Sequence, residues 1–435
     1  MSREMKDSGI EWIGEIPKDW EIKPLKHILK ERKEKNDPII TKDILSLTND
    51  RGVIPYDEKG NQGNKSKNDL TGYKIAYPND IVLNSMNVVI GSVGKSKYFG
   101  CVSPVYYMLY PINKNFDIDY YNFIFQTKVF QNNLKGYGNG ILEIRMRISM
   151  EKLNTVCLPV PSIKLQREIV NFLNEKVGEI DRLIDNAKKS IEEYKKYKQS
   201  VITEAVTKGL DSNVEMKDSG VEWIGEIPKD WEFRKIKSFS DIISKGTTPK
   251  EMSTIKDSKY TIRYIKSENI VDDKLIDKPE FYITNDVNEE LKRSQLTDKD
   301  ILFVIAGASI GKVAIMEGDL LPANTNQAIS FIRIKDEYLI YKKYLWYFLQ
   351  SNIIKVVINL YSVQSAQPNL SMENLGNIKI PFPFYKNDIN EIIEYLDNKC
   401  YEIENLIFKK EKLISELESY KKSLIYEYVT GKKEV

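Results

Sequence analysis

Residues able to do covalent chemistry are few in this sequence. One histidine, His27, and three cysteines, Cys101, Cys157 and Cys400, are scattered through 435 residues. A Ser–His–Asp or Cys–His device would have to rest on His27, and no partner is visible for it. Zinc sites and disulfide frameworks need paired spacings, and these residues have none. Gly91-Ser92-Val93-Gly94-Lys95-Ser96 ends like a phosphate-binding loop, but the first glycine of that loop belongs at position 89, where Val89 stands. In the stretch 307–312, three residues separate Gly307 from Gly311, and Val313 follows Lys312 where Ser or Thr is required. There is no Gly-x-Gly-x-x-Gly opening a helix and no Asn-Pro-Pro-aromatic tetrapeptide to hold a flipped base. Asp19, Glu21 and Lys23 are the residue types of a nuclease cluster but are spaced too compactly for one. The reading is a chain with no metal site, no nucleotide site and no catalysis of its own.

The sequence invests instead in a frame. Over 165–206, apolar residues recur in steps of three and four: Val170, Leu173, Val177, Ile180, Ile184, Ala187, Ile191, Tyr194, Lys198, Val201 and Ala205. This is a coiled-coil seam with one lysine in it. Adding 223 to each number gives Ile393, Leu396, Cys400, Ile403, Ile407, Lys410, Ile414, Leu417, Lys421, Leu424 and Tyr428, so the seam is written twice. A helix of roughly 40 residues is about 60 Å long and needs another helix to cover its seam. The second copy is the natural antiparallel partner, related by a pseudo-twofold axis. The plainer alternative is that each helix caps its own domain.

A second repeat accompanies the first. Residues 5–21, MKDSGIEWIGEIPKDWE, return at 216–232 with Ile10 replaced by Val221 and nothing else changed. Trp12, Ile13, Ile16 and Trp20 are expected to pack, and Gly14 and Pro17 to keep the path tight and non-helical. Between this junction and each long helix lies a divergent, strand-rich segment, here called a head, over 27–147 and 238–369. Faint matches remain: 79–83 with 299–303, then Val93-Gly94-Lys95 with Ile310-Gly311-Lys312, each read as a buried strand and a glycine turn. Aromatic helices are expected at 120–131 and 341–352, followed by polar loops at 136–140 and 362–369. Leu158-Pro159-Val160-Pro161 and Ile380-Pro381-Phe382-Pro383 then aim the chain into the long helices.

Composition sets outer limits. Hydrophobic residues make up 41% of the chain, ordinary for a soluble protein of two or three domains. The N-terminus lacks a signal-peptide run, and the longest apolar stretch, 301–316, is broken by Gly307, Gly311 and Lys312, so the expected location is the cytoplasm, without membrane contact. Net charge is only +2, which does not by itself indicate a nucleic-acid binder. The first head carries 17 Lys+Arg against 12 Asp+Glu, and the second carries 17 of each.

The repeated SG[IV]EWIGEIPKDWE junction, the two proline hinges and the paired helices resemble the specificity subunit of Type I restriction-modification systems, over essentially the whole chain. The resemblance implies an α+β protein with two mixed α/β target-recognition domains, over 1–162 and 208–384, separated by two long antiparallel helices, over 163–207 and 385–435, that form a coiled coil with an internal pseudo-twofold repeat. It implies a non-catalytic subunit whose two domains each read one half of a bipartite, asymmetric site in double-stranded DNA. It further implies two methyltransferase subunits that bind S-adenosylmethionine, and restriction subunits that use ATP and Mg; no cofactor belongs to this chain. Asn, Gln, Arg and Lys read base edges best. The candidates are therefore Asn139, Arg145 and Arg147 in the first head, and Lys245, Thr247, Gln364, Gln367 and Asn369 in the second. Lys95 and Lys312, after the glycine turns, are candidates for phosphate contact. A methyltransferase fused to its own specificity region would need the missing cofactor motifs. A coiled-coil scaffold without DNA binding would explain the helices but not two unlike heads on matching junctions.

Overall fold

Both seams are covered. The long helices run Ile163–Lys208 and Lys386–Val429, and every seam residue is buried or half-buried. The structure, a computed structural model, describes residues 3–49, 51–60, 66, 68–138, 147–362 and 369–435. It divides into two compact units, Met1–Lys188 with Glu411–Val435, and Lys189–Lys410. Each unit holds one head and a stretch of both long helices.

In the first unit the Phe172 ring lies against Tyr428, with centroids 4.5 Å apart. Further along, Lys421 Nζ reaches both carboxylate oxygens of Asp181 at 2.6 and 2.8 Å. One number rises as the other falls, so the two stretches are antiparallel. In the second unit Lys198 Nζ meets Glu404 at 2.7 Å. Subtracting 223 from Glu404 and Lys421 gives Asp181 and Lys198, so a single interaction is made twice. The lysines sit at equal places in the two seams because each finds an acid on the opposite helix. Burial pushes the Glu404 carboxyl up, but hydrogen bonds and charge from Lys198 and Lys274 outweigh it and hold the group below its ordinary value.

The heads share one topology. In the first, an antiparallel sheet is ordered Leu29–Arg32, Tyr106–Pro111, Ile81–Asn84, Val93–Lys95. In the second, the order Ser240–Lys245, Ile329–Ile334, Asp300–Val304, Val313–Ile315 repeats it. Asp80 and Asp300 are buried at the start of equivalent strands and held by two-point contacts from Arg32 and Arg333. The second head adds a three-stranded sheet in which Tyr260–Ile265 lies between Tyr282–Thr284 and Ala323–Thr325. Ladder register corrects one expected match. Leu83 faces Val93 and Phe303 faces Val313, so Gly91 corresponds to Gly311, both at positive φ (97° and 91°). Lys95 and Lys312 are therefore not equivalent; their apparent match is three residues out of step.

The expected aromatic helices are each broken in two. Ile118–Gln126 stops at extended Thr127, whose hydroxyl bonds back to Ile124 O and caps Lys128–Asn133 at Phe130 N. Lys342–Gln350 stops likewise at extended Ser351, and Asn352–Ser362 follows.

The first junction packs as expected, with Trp12, Ile13, Ile16 and Trp20 all buried; in the second, Ile224, Ile227 and Trp231 are buried but Trp223, the counterpart of Trp12, is exposed. Each junction folds as a short hairpin, Met5–Asp7 with Glu15–Pro17 and Met216–Asp218 with Glu226–Pro228. Its exit strand pairs with the proline hinge, Glu21–Pro24 with Cys157–Val160 and Glu232–Lys235 with Lys379–Phe382. Each unit is then closed by the helix of the other repeat. The buried Tyr120 hydroxyl donates to Val429 O at 2.7 Å, and that of Tyr344 donates to Val206 O at 3.1 Å. These carbonyls lie in the last helical turn, where no intrahelical donor remains.

The Asp181–Lys421 pair is half-exposed, so solvent screens it, and its coupling should be about 0.5–1 kcal/mol. Asp181→Lys alone should lower the urea midpoint, and adding Lys421→Asp should recover most of the loss. A double-mutant cycle in urea measures this.

Candidate nucleic-acid interface

One edge of each head carries exposed side chains on a backbone common to both. Val82 pairs with Met108, and Leu302 with Phe331, which makes Met108 equivalent to Phe331. Just before these strands the chain makes the same turn, with Tyr106 N bonded to Ser103 O and Ile329 N to Asn326 O. The exposed tip is Pro104 in the first head and Gln327 in the second. Beside the turn runs a second shared connection. Ser85 N donates to Val105 O and Ile148 N to Ser85 O; in the other head Ile305 N donates to Ala328 O and Leu370 N to Ile305 O. This places Arg147 and Asn369, both exposed, at equivalent positions next to the turn.

The third component is the end of the outer strand. Arg32 faces Met108 and Ser244 faces Phe331, so Lys33 and Lys35 of the first head stand where Lys245 and Thr247 stand in the second. Lys33, Lys35 and Thr247 are exposed, and Lys245 is half-buried. In the second head this segment is pinned against the turn. Thr247 N donates to Thr325 O, and a Cβ on Gly246 would stand 1.9 Å from that same oxygen. Tyr264 donates to Thr247 O at 2.9 Å, and burial pushes its hydroxyl up to about 12, so it stays a donor at any physiological pH.

The structure thus gathers Lys245, Thr247 and Asn369 around one turn, and Arg147 beside its counterpart. Asn139, Arg145, Gln364 and Gln367 lie outside the described residues. Lys95 ion-pairs with Asp119 at the end of its strand away from the turn. Lys312 is half-buried, its ammonium 3.1 Å from Ile270 O. Gln327, Lys33 and Lys35 were missed as candidates. The polar run Asn324-Thr325-Asn326-Gln327 between apolar strands is a turn signal that could have found the first of them. Among the described residues, no group of three or more His, Cys, Asp or Glu could hold a metal ion, and no helix is long and apolar enough to cross a membrane.

Two copies of one frame, each presenting an edge of different chemistry, mark a protein built by internal duplication. The family model for the Type I restriction modification DNA specificity domain matches twice, over residues 17–193 and 228–413. The chain belongs to this family and, like its named relatives, is a specificity subunit, a non-catalytic component of such systems. It is 27% identical over 426 residues to the Type I restriction enzyme MjaVIII specificity subunit of Methanocaldococcus jannaschii, covering 96% of this chain and 93% of the relative. To the EcoBI specificity subunit of Escherichia coli it is 22% identical over 323 residues, covering 66% and 63%. Its fold is similar to that of the HsdS subunit from Thermoanaerobacter tengcongensis (13% identity, TM-score 0.50, covering 96% and 98%). It is also similar to a chain in a structure of a type I R-M system solved to explain complex assembly and conformational transition (11% identity, TM-score 0.68, covering 95% and 98%).

Gly246→Ala should destabilise the protein by roughly 1–3 kcal/mol, because the added methyl overlaps a strand backbone. Gly72→Ala, with open space at the same distance, should not. Urea denaturation of both variants checks the contrast.

Proposed function

We propose that this chain reads double-stranded DNA with two heads, each recognising one half of an interrupted, asymmetric site, and that the long helices set the gap between the halves. The observation that carries the reading is the shared edge. Equivalent backbone positions hold Pro104, Arg147, Lys33 and Lys35 in one head and Gln327, Asn369, Lys245 and Thr247 in the other. Lysine and arginine favour guanine or phosphate, while amides favour adenine. A common frame with unlike edges suits two unlike half-sites.

Two methyltransferase subunits carrying S-adenosylmethionine, and restriction subunits using ATP and Mg, complete the working assembly in this reading. Support for helical partners comes from the long helices, which carry exposed Leu183, Tyr197, Tyr401, Phe408 and Tyr420. Apolar side chains of this size on solvated helix faces fit docking by other helices. A net charge of only +2 is consistent with partners supplying much of the positive field that DNA requires.

Replacing residues 27–147 with the corresponding segment of a relative tests the division of labour. Sequencing of methylated DNA from a host carrying the complete system should show one half of the motif changed and the other intact. A change in both halves would contradict independent heads.

A further inference from the structure

We propose that Gln327 is a specificity-determining residue of the second head and reads an adenine in the major groove. The inference rests on the DNA-reading function proposed above. Gln327 stands at the tip of the turn between Ala323–Thr325 and Ile329–Ile334, and its side chain is exposed beside Thr247 and Asn369. An amide both donates and accepts. It can therefore satisfy adenine N6 and N7 together, which neither a lysine nor a threonine does in the same way.

The backbone of the turn that carries it is held in place. Asn324, fully buried at its base, accepts from Ser294 Oγ at 2.7 Å and from Thr325 N at 2.9 Å, and donates to Asn288 Oδ1 at 3.0 Å and Leu291 O at 3.2 Å. Thr325 Oγ1 donates to Ile265 O at 3.0 Å. Asn326 Oδ1 accepts from Ala328 N at 3.1 Å across the turn itself. Gly246 leaves no space on the other side. Every partner of Asn324 is internal, so the network costs no dangling polar group, and it locks the backbone under a side chain that faces solvent. The equivalent turn in the first head rests on Cys101 and Val102, buried apolar residues, and its tip is Pro104, which has no side-chain donor or acceptor. The two heads therefore differ in kind at this position, with a base reader in the second only.

The test uses the full chain assembled with its methyltransferase, at one fixed salt concentration. Binding is measured to duplexes carrying each of the four base pairs at each position of the second half-site. The wild type should prefer A·T at one position. Gln327→Ala should flatten that preference by about 5- to 150-fold, the range for one bidentate base contact. Gln327→Glu should move it towards C·G, because a carboxylate accepts from cytosine N4. Every position of the first half-site should be unaffected by either variant. If wild-type binding is selective and Gln327→Ala keeps the whole profile, Gln327 is only a solvated turn residue and the inference is wrong. If the wild-type complex shows no base preference at all, the DNA-reading function itself fails, and the inference falls with it.

Discussion

A lysine at the same place in each coiled-coil seam meets a carboxylate on the opposite helix, and the arrangement of the rest of each unit follows from the register in which those helices pair. Lys421 meets Asp181 in one unit, and Lys198 meets Glu404 in the other. Sliding the first unit's helix stretches by one heptad would put Asn174 or Lys188 where Asp181 meets Lys421, so there the lysine would lose its acid. A polar seam residue thus selects register more than it adds strength. With register fixed, the last turn of each helix arrives under the head of the other repeat, where Tyr120 takes Val429 O and Tyr344 takes Val206 O. Neither repeat is complete without the other.

The frame imposes equivalence, and the edges depart from it. Backbone bonds around residues 85, 105 and 148 recur around 305, 328 and 370, although few side chains match between the heads. The same turn is stabilised differently in each: by a satisfied amide and hydroxyl network around Asn324, and by buried Cys101 and Val102. Backbone hydrogen bonds hold the geometry, which leaves the exposed tips free to differ.

Much of the frame was legible in the sequence. Heptad spacing exposed both seams, and the family resemblance carried by the repeated junction and hinges implied the fold class. What failed were the details that hydrogen bonding decides. A helix pattern over 120–131 is continuous in hydropathy, yet the Thr127 hydroxyl ends one helix and caps the next. Matching Gly94-Lys95 to Gly311-Lys312 followed sequence likeness, whereas strand register aligned Gly91 with Gly311. The edge was the least legible part. Its residues come from three distant segments, and no local spacing announces that Gln327, Asn369 and Thr247 lie around one turn.

In the proposed function, the long helices set the spacing between two unlike readers. Inserting one heptad after Ala187 and one after Lys410 keeps the seam in register and lengthens each helix by about 10 Å at roughly 1.5 Å per residue. At roughly 3.4 Å per base pair that is about three base pairs, with the heads turned by about 100° around the duplex. The decisive measurement is the methylated motif of a host whose restriction-modification complex carries this variant. Both half-sites should survive with a gap wider by about three base pairs. Efficient methylation at the original gap would show that the helices do not set the spacing.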